Sequence, residues 1–349
     1  MNIKKVFLPV FLLLTCYGVS GQTFLYNVEA LSYFDNREYK NDFVHSRTLF
    51  GIRLSPEIGV GFSDNREGSH RLMAGIHWNQ PIGNDLGSAQ FVPTIYYNYQ
   101  RKGLSLSLGA VPFSHLNEPL PDYLQYDSLT YMRPNIQGAL FQYTAARFTA
   151  EAFCDWRSIQ TEAQREAFRL VGRVKYAPGL FFLGGNFQMN HLASTATVKQ
   201  GVVDDLMANP YIGLNLTRLL PLDSLSLQVG YILAYAWDRV NDDAPTTPGG
   251  IHVDLTARWK RLSLHNTFYA GGNLMPHYGQ VGTLLYQGDP LYQDPLHDRL
   301  DLAVCIVNHP AVSCFFSWNF HFLSTAARLN HQQQLTVRFN LDALNAVLK

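Results

Sequence analysis

The sequence predicts an all-β protein: a transmembrane up-and-down antiparallel β-barrel of about 16 strands. Three observations predict it. The chain is poor in charge but rich in apolar and aromatic residues, its hydrophobicity alternates with period two from residue 23 onward, and its connections alternate between short and long. Of 349 residues, 15% are charged, 47% hydrophobic and 13% aromatic, with a formal net charge of zero. Soluble domains carry about 25% charged residues, so this surface is short of charge. A nucleic-acid binder needs a positive excess and a disordered chain needs low hydrophobicity, so both classes are excluded. Mean hydropathy is −0.08, and apart from the N-terminus there is no apolar run of the 18 or so residues that a spanning helix requires.

Residues 1–21 read as a secretory signal peptide, and the barrel domain is expected over 22–349. Lys4 and Lys5 supply the charged start, Val6 to Leu14 the apolar stretch, and Val19, Ser20 and Gly21 the short residues of a cleavage site. The mature chain then keeps Cys154, Cys305 and Cys314, an odd number that suits buried small side chains better than a disulfide framework.

Strands are expected to begin near residues 23, 47, 70, 90, 104, 136, 147, 166, 179, 210, 223, 250, 261, 298, 313 and 332. Leu225, Leu227, Val229, Tyr231 and Leu233 share one face, with Ser226, Gln228 and Gly230 on the other. Phe168, Leu170, Val174 and Tyr176 alternate in the same way with Arg169, Arg173 and Lys175. Even-numbered strands end in tight connections such as Arg101-Lys102-Gly103 and Lys260-Arg261. Odd-numbered strands end in long ones, at 35–45, 114–134, 191–209, 238–249 and 272–297. A soluble sandwich has no reason to sort its loops by parity. An outer-membrane barrel does, with short periplasmic turns and long extracellular loops. Tyr33, Phe34, Trp78, Tyr97, Tyr99, Trp156, Tyr176, Tyr235, Trp237, Trp259 and Trp318 fall near strand ends, where aromatic rings favour the membrane interface.

Over the whole mature length this pattern resembles bacterial outer-membrane porins of the general type. The parallels are the signal peptide, the strand count and a last strand carrying Leu335, Val337, Phe339 and Leu341. The resemblance implies localisation in the outer membrane of a Gram-negative bacterium, contact with lipid and lipopolysaccharide, a homotrimer, and a loop after the fifth strand folded into the lumen. In this chain that loop is 114–134. Two features depart from the pattern: the chain continues from Asp342 to Lys349 beyond the position of a terminal aromatic, and loop 114–134 lacks a Pro-Glu-Phe run.

With apolar faces toward lipid, strand parity assigns the pore lining. It comprises Arg53, Glu57, Arg147, Glu151, Asp155, Arg169, Arg173, Lys175, His252, Asp254, Arg258 and Arg338. Two readings of the densest cluster stay open. Cross-strand pairs neutralise one another in the wall, or a basic ladder faces Glu118, Asp122 and Asp127 of a constriction loop and sets a transverse field. Loop 272–297 holds a near-duplicated unit with Tyr286, Asp289, Tyr292 and Asp294. Three readings apply there: paired Asp/Pro turns, a sugar-binding loop, or an oxygen-rich Ca²⁺ site.

No metal-ligand spacing, nucleophile elbow, Cys-x-x-Cys or phosphate loop is present. Ser114-His115 is the only adjacent Ser–His pair at an outer rim, and neighbours in a strand point apart. A barrel hydrolase, however, assembles its site from distant strands and leaves no local motif. The expectation is therefore a non-enzymatic, cofactor-free channel for small hydrophilic solutes such as ions and sugars. Its alternative is a non-enzymatic surface protein, an adhesin or a component of an envelope complex.

Overall fold

Alternating side chains leave each segment one stable arrangement in a bilayer. The apolar set faces lipid, the polar set faces inward, and every backbone group must find a partner on a neighbouring strand. The computed structural model describes residues 22–342 except 65, 218, 219 and 327, so the signal segment lies outside the described residues. Its strands are β1 Thr23–Lys40, β2 His45–Ser63, β3 Ser69–Pro81, β4 Gln90–Arg101, β5 Leu104–Pro112, β6 Asn135–Thr144, β7 Phe148–Ser158 and β8 Ala167–Tyr176. There follow β9 Phe181–Leu192, β10 Val203–Asn215, β11 Ser224–Asp238, β12 Gly249–Trp259, β13 Leu262–Gly271, β14 Leu296–His309, β15 Val312–Leu323 and β16 Asn330–Asn340. Each is antiparallel to its sequence neighbours, and β1 pairs with β16 from Glu29↔Asn340 to Glu38↔His331, closing the barrel. Closure removes the free edges that lipid could not satisfy.

All strand starts lie within two residues of expectation except β10, which begins at Val203 rather than near 210. Pro210 conceals this strand from a sequence reading. It is tolerated because Asn209 and Pro210 have no partner on β11, where the pairing passes without change of register from Ala208↔Leu233 to Tyr211↔Gly230. The expected loop 35–45 is also shorter than read. β1 and β2 extend as a long hairpin, joined by residues 41–44.

The tight turn between β4 and β5 shows how sequence fixes register. Lys102 and Gly103 both take positive φ, 45° and 83°, as a two-residue hairpin requires. A Cβ on Gly103 would lie 2.2 Å from the Thr144 carbonyl oxygen.

Outward positions such as Ile58, Ile212 and Leu233 are exposed, whereas Arg53, Glu57, His252 and Asn319 are buried inside. Two expectations need correction. Arg147 lies not on β7 but in the turn before it, exposed, so it does not line the lumen; Ala145-Ala146-Arg147 carries the chain across the short-turn end. Tyr33 is not at the membrane interface but buried inward, where its ring stacks on Tyr131 at 4.2 Å. The three cysteines are free, half-buried thiols rather than buried ones.

Candidate functional site

The two longest loops decide what the lumen contains. Loop 113–134 leaves β5 and folds inward, ending in the helix α1, Asp127–Met132. It touches distant parts of the wall. The Tyr123 hydroxyl accepts hydrogen bonds from Asn186 (2.8 Å) on β9 and Asn209 (2.9 Å) on β10. On β14, Arg299 holds Asp122 at 2.8 Å and Asp127 at 3.1 Å, and its Nε donates to Asp301 at 2.8 Å. Arg169 on β8 donates to the Leu124 carbonyl and to Gln125. Loop 272–295 packs beside it: the Tyr126 N–H donates to the Gln287 carbonyl (2.7 Å) and the Asp289 N–H to the Asp122 carbonyl (2.8 Å). Tyr123, Leu124, Leu285, Tyr286, Leu291 and Tyr292 are buried between loops and wall. Together the loops form an apolar plug ringed by charge, in the half of the lumen nearest the long loops.

The structure places the expected lining residues as follows. Asp155 and Arg169 face one another in register across β7 and β8 and pair at 3.2 Å, as do Glu151 and Arg173 at 3.5 Å. Glu118 of the loop approaches both Arg173 (3.5 Å) and Lys175 (3.9 Å), so wall pairing and loop pairing coexist. Arg53 and Arg338 flank Glu29. Glu57 is buried beside Asn27. Asp254 bonds His265 at 2.7 Å, His252 is buried against Tyr123, and Arg258 is exposed near the short turns.

In loop 272–295 the tyrosines and carboxylates of the repeated unit are engaged within the fold. Tyr286 accepts from the His277 N–H, and Tyr292 is wedged between Tyr123, Tyr269 and His297. Asp294 caps the chain, accepting from the Leu296 N–H and from the backbone and hydroxyls of Ser324 and Thr325. Burial raises the Asp294 carboxyl, but these donors prevail and hold it below its ordinary value. Asp289 accepts the Leu291 N–H, and burial pushes its carboxyl up to about 6. The unit thus forms two turns that pack tyrosines into the plug, which corrects the sugar-loop and Ca²⁺-loop readings. Among the described residues, no group of three or more His, Cys, Asp and Glu is placed to hold a metal ion.

The structure also assembles a constellation that sequence reasoning missed. Ser55 on β2 has its Oγ 2.7 Å from Nδ1 of His77 on β3, and His77 Nε2 lies 2.9 Å from Oδ1 of Asn135, the first residue of β6. Asn135 uses its amide nitrogen to donate to the Pro93 carbonyl and to Thr94. Its oxygen therefore accepts from His77 Nε2–H, which leaves Nδ1 as the acceptor for the Ser55 hydroxyl. A hydroxyl, a base and a group that fixes the base's tautomer is the arrangement that activates a serine. By contrast, His70 and His77 lie on opposite faces of β3, and Ser114 and His115 sit in a single helical turn, with His115 against Tyr96. Parity marks His77 as inward. Nothing local in the sequence links it to Ser55 or Asn135, because register and loop docking bring the three together.

Two cavities adjoin this region. One, of about 230 Å³, lies between α1 and the wall, with Asn135 on its floor. The other, of about 390 Å³, opens among Glu57, Arg71, Asn98 and Gln142 toward the short-turn end.

The lipid A 3′-O-deacylase-type family matches residues 20–344. The chain belongs to this family. That overturns the expectation of a non-enzymatic protein, because the family is of an enzyme type. No curated protein matches the sequence. Among solved structures, a loop-deletion mutant of OmpT, an outer membrane protein of Vibrio cholerae, is similar over 92% of this chain and all of its own, with TM-score 0.56 at 12% identity. A mutant of the Rh. blastica porin covers 91% of this chain and all of its own, with TM-score 0.49 at 7% identity. The first of these likenesses supports the fold, a closed 16-stranded barrel of the outer-membrane type.

Proposed function

We propose that the protein is an outer-membrane hydrolase that removes an ester-linked acyl chain from a lipid A-type glycolipid, with its long loops outward. The observation that carries this is the Ser55–His77–Asn135 relay, found in a chain of a deacylase-type family. Ser55 Oγ attacks the ester carbonyl while His77 Nδ1 takes its proton. The same proton then passes to the departing sugar oxygen, leaving an acyl-Ser55 ester and a free sugar hydroxyl. Water, deprotonated by His77, releases the fatty acid. Asn135 keeps the imidazole in the tautomer these steps need. The three side chains are buried beneath α1, which is fastened by the Arg53 donor to Thr130 and the Arg47 donor to Ser128. Substrate entry therefore requires that α1 lift.

Mass spectrometry of lipid A after incubation with the purified protein tests this directly. Loss of one ester-linked acyl chain is expected, abolished in Ser55→Ala and His77→Ala variants that retain the folded barrel. Full activity in Ser55→Ala would remove the serine from the mechanism. The second reading, a diffusion channel, draws support from the polar cavity at the short-turn end. Steady open-channel conductance of the wild type, with no acyl release, would favour it.

A further inference from the structure

We propose that the cavity between α1 and strands β7 and β8 is a subsite for a phosphate group. It deepens the hydrolase reading, on which the identity of the bound lipid rests. The cavity is lined by three guanidinium groups, those of Arg133, Arg157 and Arg169, against a single carboxylate, Asp155. Asp155 is already engaged. One oxygen accepts from Arg169 Nε at 3.2 Å and the other from the Gln137 N–H at 3.0 Å. Two positive charges are therefore left over in a confined space.

Neither surplus cation is neutralised elsewhere. Arg157 donates to two carbonyls, those of Thr283 and Leu285, and its Nε is buried without a partner. Carbonyl dipoles orient a guanidinium without cancelling its charge. Arg133, exposed at the mouth just past α1, makes no side-chain hydrogen bond or ion pair among the described residues. Like charges brought together in a half-enclosed pocket repel, and an anion converts that repulsion into attraction. The planar fork of arginine is the side chain best matched to phosphate oxygens. Gln125 and Gln137 add neutral amides to the lining. Asn135 is shared between this cavity and the Ser55–His77 pair, so a phosphate held here fixes the position of a glycolipid relative to the nucleophile. The shared chemistry is phosphate, from either a glycolipid headgroup or free phosphate.

The test uses the full mature chain in detergent, with three probes: diphosphoryl lipid A, the same lipid chemically dephosphorylated, and inorganic phosphate. Arg133→Gln removes a partnerless, exposed cation, so folding should be unaffected, as a thermal melt will verify. A charge-assisted hydrogen bond contributes about 1.5–3 kcal/mol. Arg133→Gln should accordingly weaken diphosphoryl lipid A about tenfold to a hundredfold and leave the dephosphorylated lipid unchanged. Competition by inorganic phosphate that is lost in Arg133→Gln supports the subsite. If inorganic phosphate binds as tightly as the lipid, the natural occupant is the free anion. Equal affinity of the wild type for both lipids, or an unchanged Arg133→Gln, overturns the proposal. The hydrolase reading fails separately: it falls if binding discriminates by phosphate but no acyl chain is released. If acyl release is normal and the KM of Arg133→Gln for the diphosphoryl substrate is unaltered, only the subsite falls.

Discussion

Replacing Arg299 with Met should unlock the lumen. Arg299 is buried and bonds three carboxylates: Asp122 and Asp127 of the plug, and Asp301 of its own strand. Methionine keeps much of the side-chain volume but removes the only cation in this group. The loop then holds two half-buried carboxylates facing a third with no guanidinium between them. Breaking a buried pair by deleting one partner costs about 3–5 kcal/mol. The barrel wall should not carry that cost, because the β13–β14 and β14–β15 ladders are backbone pairs that do not involve the side chain. The cost falls on the docked state of loop 113–134, and at 1.4 kcal/mol per decade it shifts docking by a factor of roughly 10² to nearly 10⁴. Single-molecule conductance across a planar bilayer would read this as transient openings in Arg299→Met, against a quiet wild type. Limited proteolysis within 113–134 would rise in parallel. Adding Asp122→Asn and Asp127→Asn removes the repulsion and should restore much of the quiet state. An Arg299→Met variant as silent and as protease-resistant as wild type would refute the plug reasoning.

Two further perturbations address the plug and the turns. Asp289 is buried with one oxygen unpartnered, and its carboxyl is raised to about 6 from an ordinary value near 4. Because the folded state resists its ionisation, Asp289 lowers stability progressively as pH rises from about 4 to 6 and fully above that. Asp289→Asn should therefore stabilise by up to about 3 kcal/mol at pH 7.5 and hardly at all at pH 4. Thermal melts at both pH values check this, and an equal shift at the two would contradict it. Gly103→Ala should cost about 1–2 kcal/mol, because the residue combines positive φ with a Cβ position pressed against the Thr144 carbonyl. Gly179, in the β8–β9 turn, has open space around its Cβ position, so Gly179→Ala should be nearly neutral in the same melt.

The barrel was legible in the sequence because it depends on one-dimensional facts. Side-chain alternation assigns faces, and turn residues such as Lys102-Gly103 mark where strands reverse, so strand starts could be placed closely. β10 escaped because Pro210 reads as a break, and only the gap in the β10–β11 pairing at Asn209 and Pro210 shows why it is not one. The inward charges were legible for the same reason as the strands, and Arg147 was misplaced because one residue decides whether a position belongs to a strand or a turn. Loop contents were less legible. The Asp289 and Asp294 units were visible as turns, but not their destination, because docking depends on where Arg299 and Asn209 stand across the barrel.

The Ser55–His77–Asn135 relay shows where sequence reading stops. Ser55 and His77 lie 22 residues apart on adjacent strands, and Asn135 arrives 58 residues after His77, at the end of an inward-folded loop. No periodic signal connects them. Each residue alone has an ordinary explanation: a serine in a polar lining, an inward histidine, an asparagine at a strand start. Their combination differs in that Asn135 has spent its donors on Pro93 and Thr94, which fixes the tautomer of His77 and aims its free nitrogen at the Ser55 hydroxyl. A wall built only for stability would gain as much from either tautomer. One that leaves a basic nitrogen 2.7 Å from a hydroxyl, beside a cavity with surplus positive charge and under a helix held by a few side-chain bonds, has the elements of a gated ester hydrolase. On the hydrolase reading, the same loops that fill the lumen hold the proposed catalytic groups in register.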